Sequence, residues 1–525
     1  MKKFIRNLLS GYLLVILMLL IELGIFVYIQ FFFKDSISSI ICSDSTSDYV
    51  KFIVSASYIS FRLIMFIIEV VIFFKIICKE EDPEFKVPWI VGMLLMPFFF
   101  AMLFLIFGNH GLKKKDRKVL DETLKVYKKT TPEANDESVF EGSIGAFNYL
   151  SNTTHLAPHT NNKVSYFKCG RDFFPELYKC LDEAKEFIFM EFFIIHDGEV
   201  WSTILEILKK KASLGVKVIL LYDDMGCSGT ISSRTPKILS RYGIECHKFH
   251  PFRPILSGVY NNRDHRKICV VDHKYGFTGG MNLGDEYANI IERFGFWKDT
   301  MIKIEGSAIS NLIGTFLENY SLCTGKVSDY EKYLTYDYEK FSDNGHVMPF
   351  GDGPGGIDDA LVGEQNYINI LHYAKHEVYI STPYLIPTYE LLDALRNTAL
   401  RGVKVHLIVP KIPDKKIVYK VAQSNFRYLL DSGVNIYLYT PGFNHMKTML
   451  ADGKLGFVGT INFDFRSLVH HFECGTLLYK VDCLKDIEDD FKEMISQSEQ
   501  VPFDFKMKKS SKRLCNLIKL ISPLL

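Results

Sequence analysis

Three long apolar runs occupy the first 112 residues. Positions 7–33 carry one charge, Glu22, in 27 positions. That exceeds the roughly 20 apolar residues a helix needs to cross a bilayer. Positions 52–74 form a second run interrupted by Arg62 and Glu69. These two lie on one helix face and can pair within a bundle. Positions 87–108 form a third run, without charge and with Trp89 near one end. Hydropathy over such lengths predicts two or three membrane helices. The basic start, Met1 to Arg6, leads into an apolar run too long for a secretory leader. No small-x-small cleavage site follows it, so the segment reads as an uncleaved anchor.

The remainder changes to short blocks. Residues 113–165 are polar and read as a linker that starts helical and then loosens. Residues 187–194 are then a strand-like apolar run. Ile204, Leu205 and Leu208 mark a helix, and Gly215-Val216-Lys217-Val218 opens another strand. The same order returns further on, with Val378-Tyr379-Ile380, then Leu391, Leu392 and Leu395, then Gly402-Val403-Lys404-Val405. Strand, helix, strand twice over predicts a duplicated α/β body. Its halves are placed at 166–345 and 346–525, behind an anchor at 1–112 and the linker at 113–165.

Composition refines this picture. Residues 1–112 hold 16 of the 42 Phe, and nine Lys/Arg balance nine Asp/Glu there. The body carries 53 basic and 52 acidic groups. A neutral body argues against a nucleic-acid phosphodiesterase, which needs a basic stripe to track phosphates. The basic groups flanking the three runs divide six against seven, so the positive-inside rule leaves the membrane face of the body open. The basic cluster at 113–118 suits anionic headgroups or a solvated helix start. The 11 cysteines are scattered without a C-x-x-C, so neither a disulfide framework nor a zinc site is expected. Cys246, His247 and His250 lack a second ligand pair and read as a strand end.

Each half carries the same polar constellation. The first has His265, Lys267, Asp272, Gly279, Gly280 and Asn282. The second has His445, Lys447, Asp452, Gly459, Thr460 and Asn462. The His-to-Lys, His-to-Asp and His-to-Asn spacings match in both. His and Lys two apart on a strand share a face, which sets an imidazole beside an ammonium. Asn282 and Asn462 follow a Gly-rich turn and can present amides to the same spot as substrate-binding groups. Two copies facing each other suit a phosphate diester. The cations and amides hold the non-bridging oxygens, one imidazole attacks phosphorus, and the other serves as acid and base. No metal and no cofactor are required. Asp272 and Asp452 complete the motif and stand with the catalytic set, although their place at a strand end suits holding the turn. Asp299 and Glu473 each precede a strand-like run and are candidates to orient one histidine apiece.

The paired H-x-K-x4-D motifs resemble the phospholipase D superfamily. Narrower stretches resemble the bacterial cardiolipin synthase family. These are Asn261 to Lys267, Gly279 to Tyr287, Pro441 to His445, Asp464 to Ser467, His471 to Gly475 and the closing Ile521 to Leu525. At the head, Asp82 to Gly108 is similar to that family's last span. The resemblance implies two phospholipase D-like α-β-α half-domains joined to a transmembrane helical region, in a multi-pass protein of the bacterial cell membrane. It implies transfer of a phosphatidyl group between two phosphatidylglycerol molecules, giving cardiolipin and glycerol. His265 would be the nucleophile, through a phosphohistidine, and His445 the acid and base. Gly280 and Thr460 stand where the superfamily often has Ser, which removes a hydroxyl at position 280. The loop 251–256 could dip apolar side chains into the interface. A phospholipid hydrolase using water shares every one of these residues and stays open as an alternative.

Overall fold

The repeated order of apolar run, helix and Gly-Val-Lys-Val strand builds two sheets of one design. The computed structural model describes residues 47–80, 83–108, 111–130, 144–251, 261–327, 331–343, 345–354 and 360–521, with single residues 20, 24, 38 and 39. The first sheet has the strand order Lys163–Phe167, Met301–Glu305, Tyr275–Gly279, Lys267–Val271, Phe187–Phe192, Lys217–Asp223, Glu245–Phe249. The second has His346–Asp352, Glu473–Tyr479, Leu455–Gly459, Thr448–Ala451, Glu377–Ser381, Lys404–Pro410, Asn435–Tyr439, with Ser498–Gln500 added at its edge. The two orders correspond strand for strand. In each, three strands pair in parallel and the rest antiparallel. The helices Glu199–Ser213 and Tyr389–Leu400 supply the crossovers that parallel neighbours need.

Both faces of each sheet are covered, which is why the central strands are apolar runs rather than alternating ones. Phe187–Phe192 is buried at all six positions. Phe173, Leu177, Ile204 and Leu208 cover the outer face of the first sheet. Ile370, Leu391, Leu395, Phe426 and Leu429 cover that of the second. The inner faces share a third cluster, where Phe189, Ile268 and Ile304 meet Tyr379, Leu450 and Leu478 around the helices Ile309–Thr324 and Leu484–Ser496. Full burial of one such side chain contributes about 1.5–3 kcal/mol. The halves therefore share a core and are not independent beads.

The segment expected as a linker is more ordered than its polarity suggests. Helices Lys114–Thr130 and Ile144–Thr154 lie within it, and Lys163–Phe167 already belongs to the first sheet. Tyr127 is buried and donates to the Gly314 carbonyl, while Phe147 and Leu150 join the core of the second half. A few well-placed apolar residues dock these helices where average composition predicts a loose connection.

The described residues up to Gly108, with Leu520 and Ile521, fall in a separate unit. Its helices are Asp48–Ile77, Pro83–Leu95 and Pro97–Phe107, with Ile72, Ile76, Trp89, Met93, Ala101 and Phe104 at the centre. Among the described residues no helix is long and apolar enough to cross a membrane. In the first helix Arg62 and Glu69 break the apolar run. The expected third span is split at Met96, where Pro97 starts a new helix. The run 7–33 lies outside the described residues apart from Leu20 and Gly24, and so does the loop 251–256 beyond Pro251.

Candidate active site

The motif residues stand at the carboxyl ends of the central parallel strands, where open α/β sheets gather their ligand-binding groups. Lys267 pairs with Phe192 and Thr448 with Ser381, each the last residue of a parallel strand. His265 and His445 precede their strands rather than lying in them. The His265 amide donates to the Phe472 carbonyl at 2.8 Å, and the His445 amide to the Lys298 carbonyl at 2.7 Å. Each histidine segment thus runs beside the opposite half. Gly442–Asn444 pairs in parallel with Phe296–Lys298, and Asp264 bridges to Phe472.

That crossing decides which acid meets which imidazole. His265 Nδ1 lies 2.9 Å from both carboxylate oxygens of Glu473, and His445 Nδ1 lies 2.6 Å from Asp299 Oδ2. The acid on each histidine comes from the other half, which sequence distance within a half does not reveal. All four side chains are buried, with His265 6% and His445 8% exposed, so their Nε2 edges are the part left to face a ligand. With Nδ1–H donated to a carboxylate, Nε2 carries the lone pair.

The lysines sit within the same network. Lys267 Nζ donates to the His265 carbonyl at 2.5 Å and lies 5.5 Å from the Phe193 ring centre. Lys447 Nζ donates to the His445 carbonyl, and lies 2.8 Å from His445 Nδ1 and 3.9 Å from Asp299. Burial pushes both ammonium groups down to about 8, opposed chiefly by Glu473 at Lys267 and by Asp299 at Lys447. Burial, then Lys447, holds His445 down at about 4 against the pull of Asp299. Burial also holds His265 well below the usual imidazole range, against Glu473. Burial alone would raise the Glu473 carboxyl, but His265 and then His471 overcome it and keep it far below its ordinary value. Each lysine feels the acids of both halves, so the two constellations form one electrostatic site.

Three of the expected site residues have their polar atoms engaged by other groups. Asp272 accepts from the amides of Lys185, Glu186 and Phe187 at 2.9–3.0 Å, and Asp452 from those of Lys375, His376 and Glu377 at 2.8–2.9 Å. Both lie at the far end of their strands with φ of +52° and +51°. Each holds a turn, as its strand-end position suggests, and takes its hydrogen bonds from backbone amides. Asn282 is committed internally: its Oδ1 accepts from the Ile194 amide at 3.0 Å, and its Nδ2 donates to Tyr287 Oη at 2.7 Å. Asn462 differs, with a buried Oδ1 that has no partner among the described residues.

Other neighbours had weak sequence signals. The Phe193 ring lies edge-on to His265 at 5.0 Å, and Tyr287, Trp297 and Phe443 surround His445 at 5.5–5.8 Å. Arg266 donates to the carbonyls of Glu473 and Asp352 and pairs with Glu318 at 2.7 Å, tying the halves beneath the site. His471 lies 3.5 Å from Glu473 and 5.5 Å, ring to ring, from His265. Its position two before Glu473 puts both on one side of the chain, a signal available in the sequence. Ligand atoms of His265, His471 and Glu473 lie within 4.8 Å of one another and could close on a divalent cation, at the expense of the hydrogen bond that orients His265.

Paired α/β halves with crossed His–carboxylate pairs and adjoining lysines define a phospholipase D-like protein. The solved phosphatidylserine synthase of Haemophilus influenzae Rd KW20 shares the fold, with a TM-score of 0.56 at 15% identity, over 73% of this chain and all of that one. The family model described as "Cardiolipin synthase, PLD-like domain" matches residues 177–301 and 367–495. A cardiolipin synthase of Geobacillus sp. (strain WCH70) is 32% identical, over 87% of this chain and 92% of its own length. Cardiolipin synthase 2 of Bacillus anthracis is 32% identical, over 89% and 91%. An uncharacterised protein of Streptococcus mutans is 46% identical, over 72% and 82%. The chain belongs to the cardiolipin synthase family of the phospholipase D superfamily.

Proposed function

We propose that this enzyme transfers a phosphatidyl group from one phosphatidylglycerol to a hydroxyl of a second, yielding cardiolipin and glycerol. The observation that carries the reading is the pair of crossed imidazole–carboxylate contacts, with one lysine beside each. Crossed pairs supply two imidazoles of fixed orientation, as double displacement at phosphorus requires. His265 Nε2 attacks phosphorus, and the bond to the headgroup glycerol oxygen breaks. His445 gives its proton to that oxygen, releasing glycerol and leaving a phosphatidyl-histidine. A hydroxyl of the second phosphatidylglycerol then gives its proton to His445 and attacks phosphorus. The P–N bond breaks and His265 is restored.

The fields around the site fit this order. An empty site keeps both histidines neutral, which leaves His265 nucleophilic. The anionic diester offsets the positive field of Lys267 and Lys447, so His445 gains its proton with the substrate. The lysines stabilise charge as it grows on the non-bridging oxygens. Asp299 and Glu473 act as positioning residues, holding the tautomer and the ring angle. Asn462, buried with an unpartnered Oδ1, offers its side-chain amide to the substrate.

We further read the first 110 residues as the membrane attachment. In the helix Asp48–Ile77, Phe52, Leu63, Phe66 and Val71 are all more than half exposed, as are Leu94 and Leu95 after it. Apolar surface on that scale is rarely left to water. It keeps the site where phospholipid donors are concentrated.

The test is purified enzyme with labelled phosphatidylglycerol in mixed micelles. Cardiolipin and free glycerol in equal amounts are expected, and His445→Asn should trap labelled phosphatidyl on the chain. Phosphatidic acid as the sole product would mean a hydrolase and overturn the transfer reading.

A further inference from the structure

The C-terminal part of the body concentrates positive charge in an otherwise balanced protein. Residues 505–519 contain Lys506, Lys508, Lys509, Lys512, Arg513 and Lys519 and no acid. The helix Lys509–Ile521 is seated by one face only. Cys515, 3% exposed, donates to the Lys420 carbonyl at 3.4 Å, and Lys519 donates to Asn425 Oδ1. Cys515 and Lys519, four apart, are the docked stripe. Leu514 and Leu517, three apart on another side, are 59% and 65% exposed.

The helix that receives it repeats the pattern. Lys416–Leu430 and the residues just before it carry Lys411, Lys415, Lys416 and Lys420 against Asp414 alone within 411–420. Ile417 is 67% exposed there. Lys411 pairs with Glu499 and Lys415 lies over the Tyr384 ring, whereas Lys416, Lys420, Lys512 and Arg513 have no ion-pair partner among the described residues. With Lys519 docked and Lys411 paired, eight cations remain against Asp414, interleaved with exposed Leu and Ile on and just before two touching helices.

The 411–416 part of this face stands at the catalytic end of the second sheet. Lys404–Pro410 leads directly into 411–416, and its residue Ile408 pairs with Ser381, which in turn pairs with Thr448. Asn444, next to His445, donates to the Ile408 carbonyl at 3.3 Å and to Ser381 Oγ at 2.9 Å.

We propose that the face built from residues 411–420 and 505–519 docks on an anionic lipid surface and sets the mouth of the site against the headgroups. Charge selects the anionic membrane, and the exposed Leu and Ile enter the boundary between headgroups and acyl chains. The idea rests on the lipid-substrate reading above and assigns the surface that meets the substrate's own bilayer. It uses a part of the chain far in sequence from the N-terminal attachment.

Hydrogen exchange of the full chain tests it, in nanodiscs of phosphatidylcholine alone or with phosphatidylglycerol or phosphatidylserine. Amides in 411–420 and 505–519 should exchange several-fold more slowly with either anionic lipid, and about 1 M salt, where screening acts within roughly 3 Å, should remove the difference. Using His265→Asn for this measurement separates docking from turnover, so failure of one reading is distinguishable from failure of the other. Equal exchange in all three nanodiscs overturns the proposal. So does protection that tracks protein concentration in phosphatidylcholine, which would assign the face to a second copy. The variant Lys416→Glu/Lys420→Glu/Lys512→Glu/Arg513→Glu should raise the apparent KM for phosphatidylglycerol in mixed micelles by roughly tenfold, with kcat at saturation kept within about twofold. Leu514→Ser/Leu517→Ser, which leaves every charge in place, should raise KM in the same direction. An unchanged KM in both variants overturns the proposal as well.

Discussion

The two halves place equivalent backbone around unlike side chains. In each, the residue after the second glycine-bearing strand donates a matching amide bond: Gly280 to the Thr300 carbonyl at 2.8 Å, and Thr460 to the Cys474 carbonyl at 2.9 Å. At Gly280 an added Cβ would lie 2.0 Å from Asp299 Oδ1, so the short acid occupies the space a side chain would take. At Thr460 the hydroxyl itself donates to Glu473, which is one carbon longer. Acid length and the size of the facing residue vary together, and each solution brings a carboxylate to Nδ1 of the histidine across the interface. Glu473 has His471 beside it, while the Asp299 side has Lys447. Duplication keeps the frame, and these local differences give two like imidazoles unlike surroundings.

Removing the imidazoles should separate the halves most sharply. His265→Asn should lower cardiolipin formation by roughly 10⁴-fold or more without a trapped intermediate, whereas His445→Asn should slow turnover by roughly 10²–10⁴-fold and accumulate it. Full activity in His265→Asn would sink the assignment of the nucleophile. Next come the positioning acids. Glu473→Gln and Asp299→Asn should each reduce kcat by roughly 10²–10⁴-fold with KM little changed, and wild-type turnover of either variant would remove that acid from the mechanism.

The Gly–Thr difference is tested by Gly280→Ala, which displaces Asp299 and should cost roughly 10–100-fold in kcat. Thr460→Ser keeps the hydroxyl and should stay near wild type, with Thr460→Val about tenfold down. If Gly280→Ala were as active as Thr460→Ser, the pairing of acid length with facing residue would have no consequence. The lysines set a pH limb that both halves share. Lys267 and Lys447, held at about 8, keep their charge below that pH and lose it above. The value of kcat/KM should therefore fall as pH rises through about 8, by roughly tenfold at pH 9, and a profile flat to pH 10 would contradict it.

The smallest effect on chemistry belongs to the turn acids. Asp272→Asn and Asp452→Asn keep a side chain that tolerates positive φ but weaken three charge-assisted hydrogen bonds. Each should lower stability by about 1–3 kcal/mol, read as a lower Tm, with kcat/KM of the folded enzyme within about twofold. A selective loss of kcat/KM at unchanged Tm would return these acids to the catalytic set.

The sequence alone determined the duplication, the two His–Lys pairs and the class of chemistry, because those rest on local periodicity and repeated spacing. It could nominate Asp299 and Glu473 as carboxylates near strand starts. Only the tertiary structure decided that each contacts the histidine of the other half, since that depends on how two sheets share an inner core. The turn role of Asp272 and Asp452 was half legible from their strand-end position, and the three amides each one holds settle its geometry. Asn282 looked equivalent to Asn462 by spacing, yet Tyr287 and the Ile194 amide occupy it. The docked helices within 113–165 escaped a reading by average composition, because a few buried residues, such as Tyr127 and Phe147, decide them. Spacing is a property of the chain, whereas partnership across an interface is a property of packing, and this site is made of partnerships.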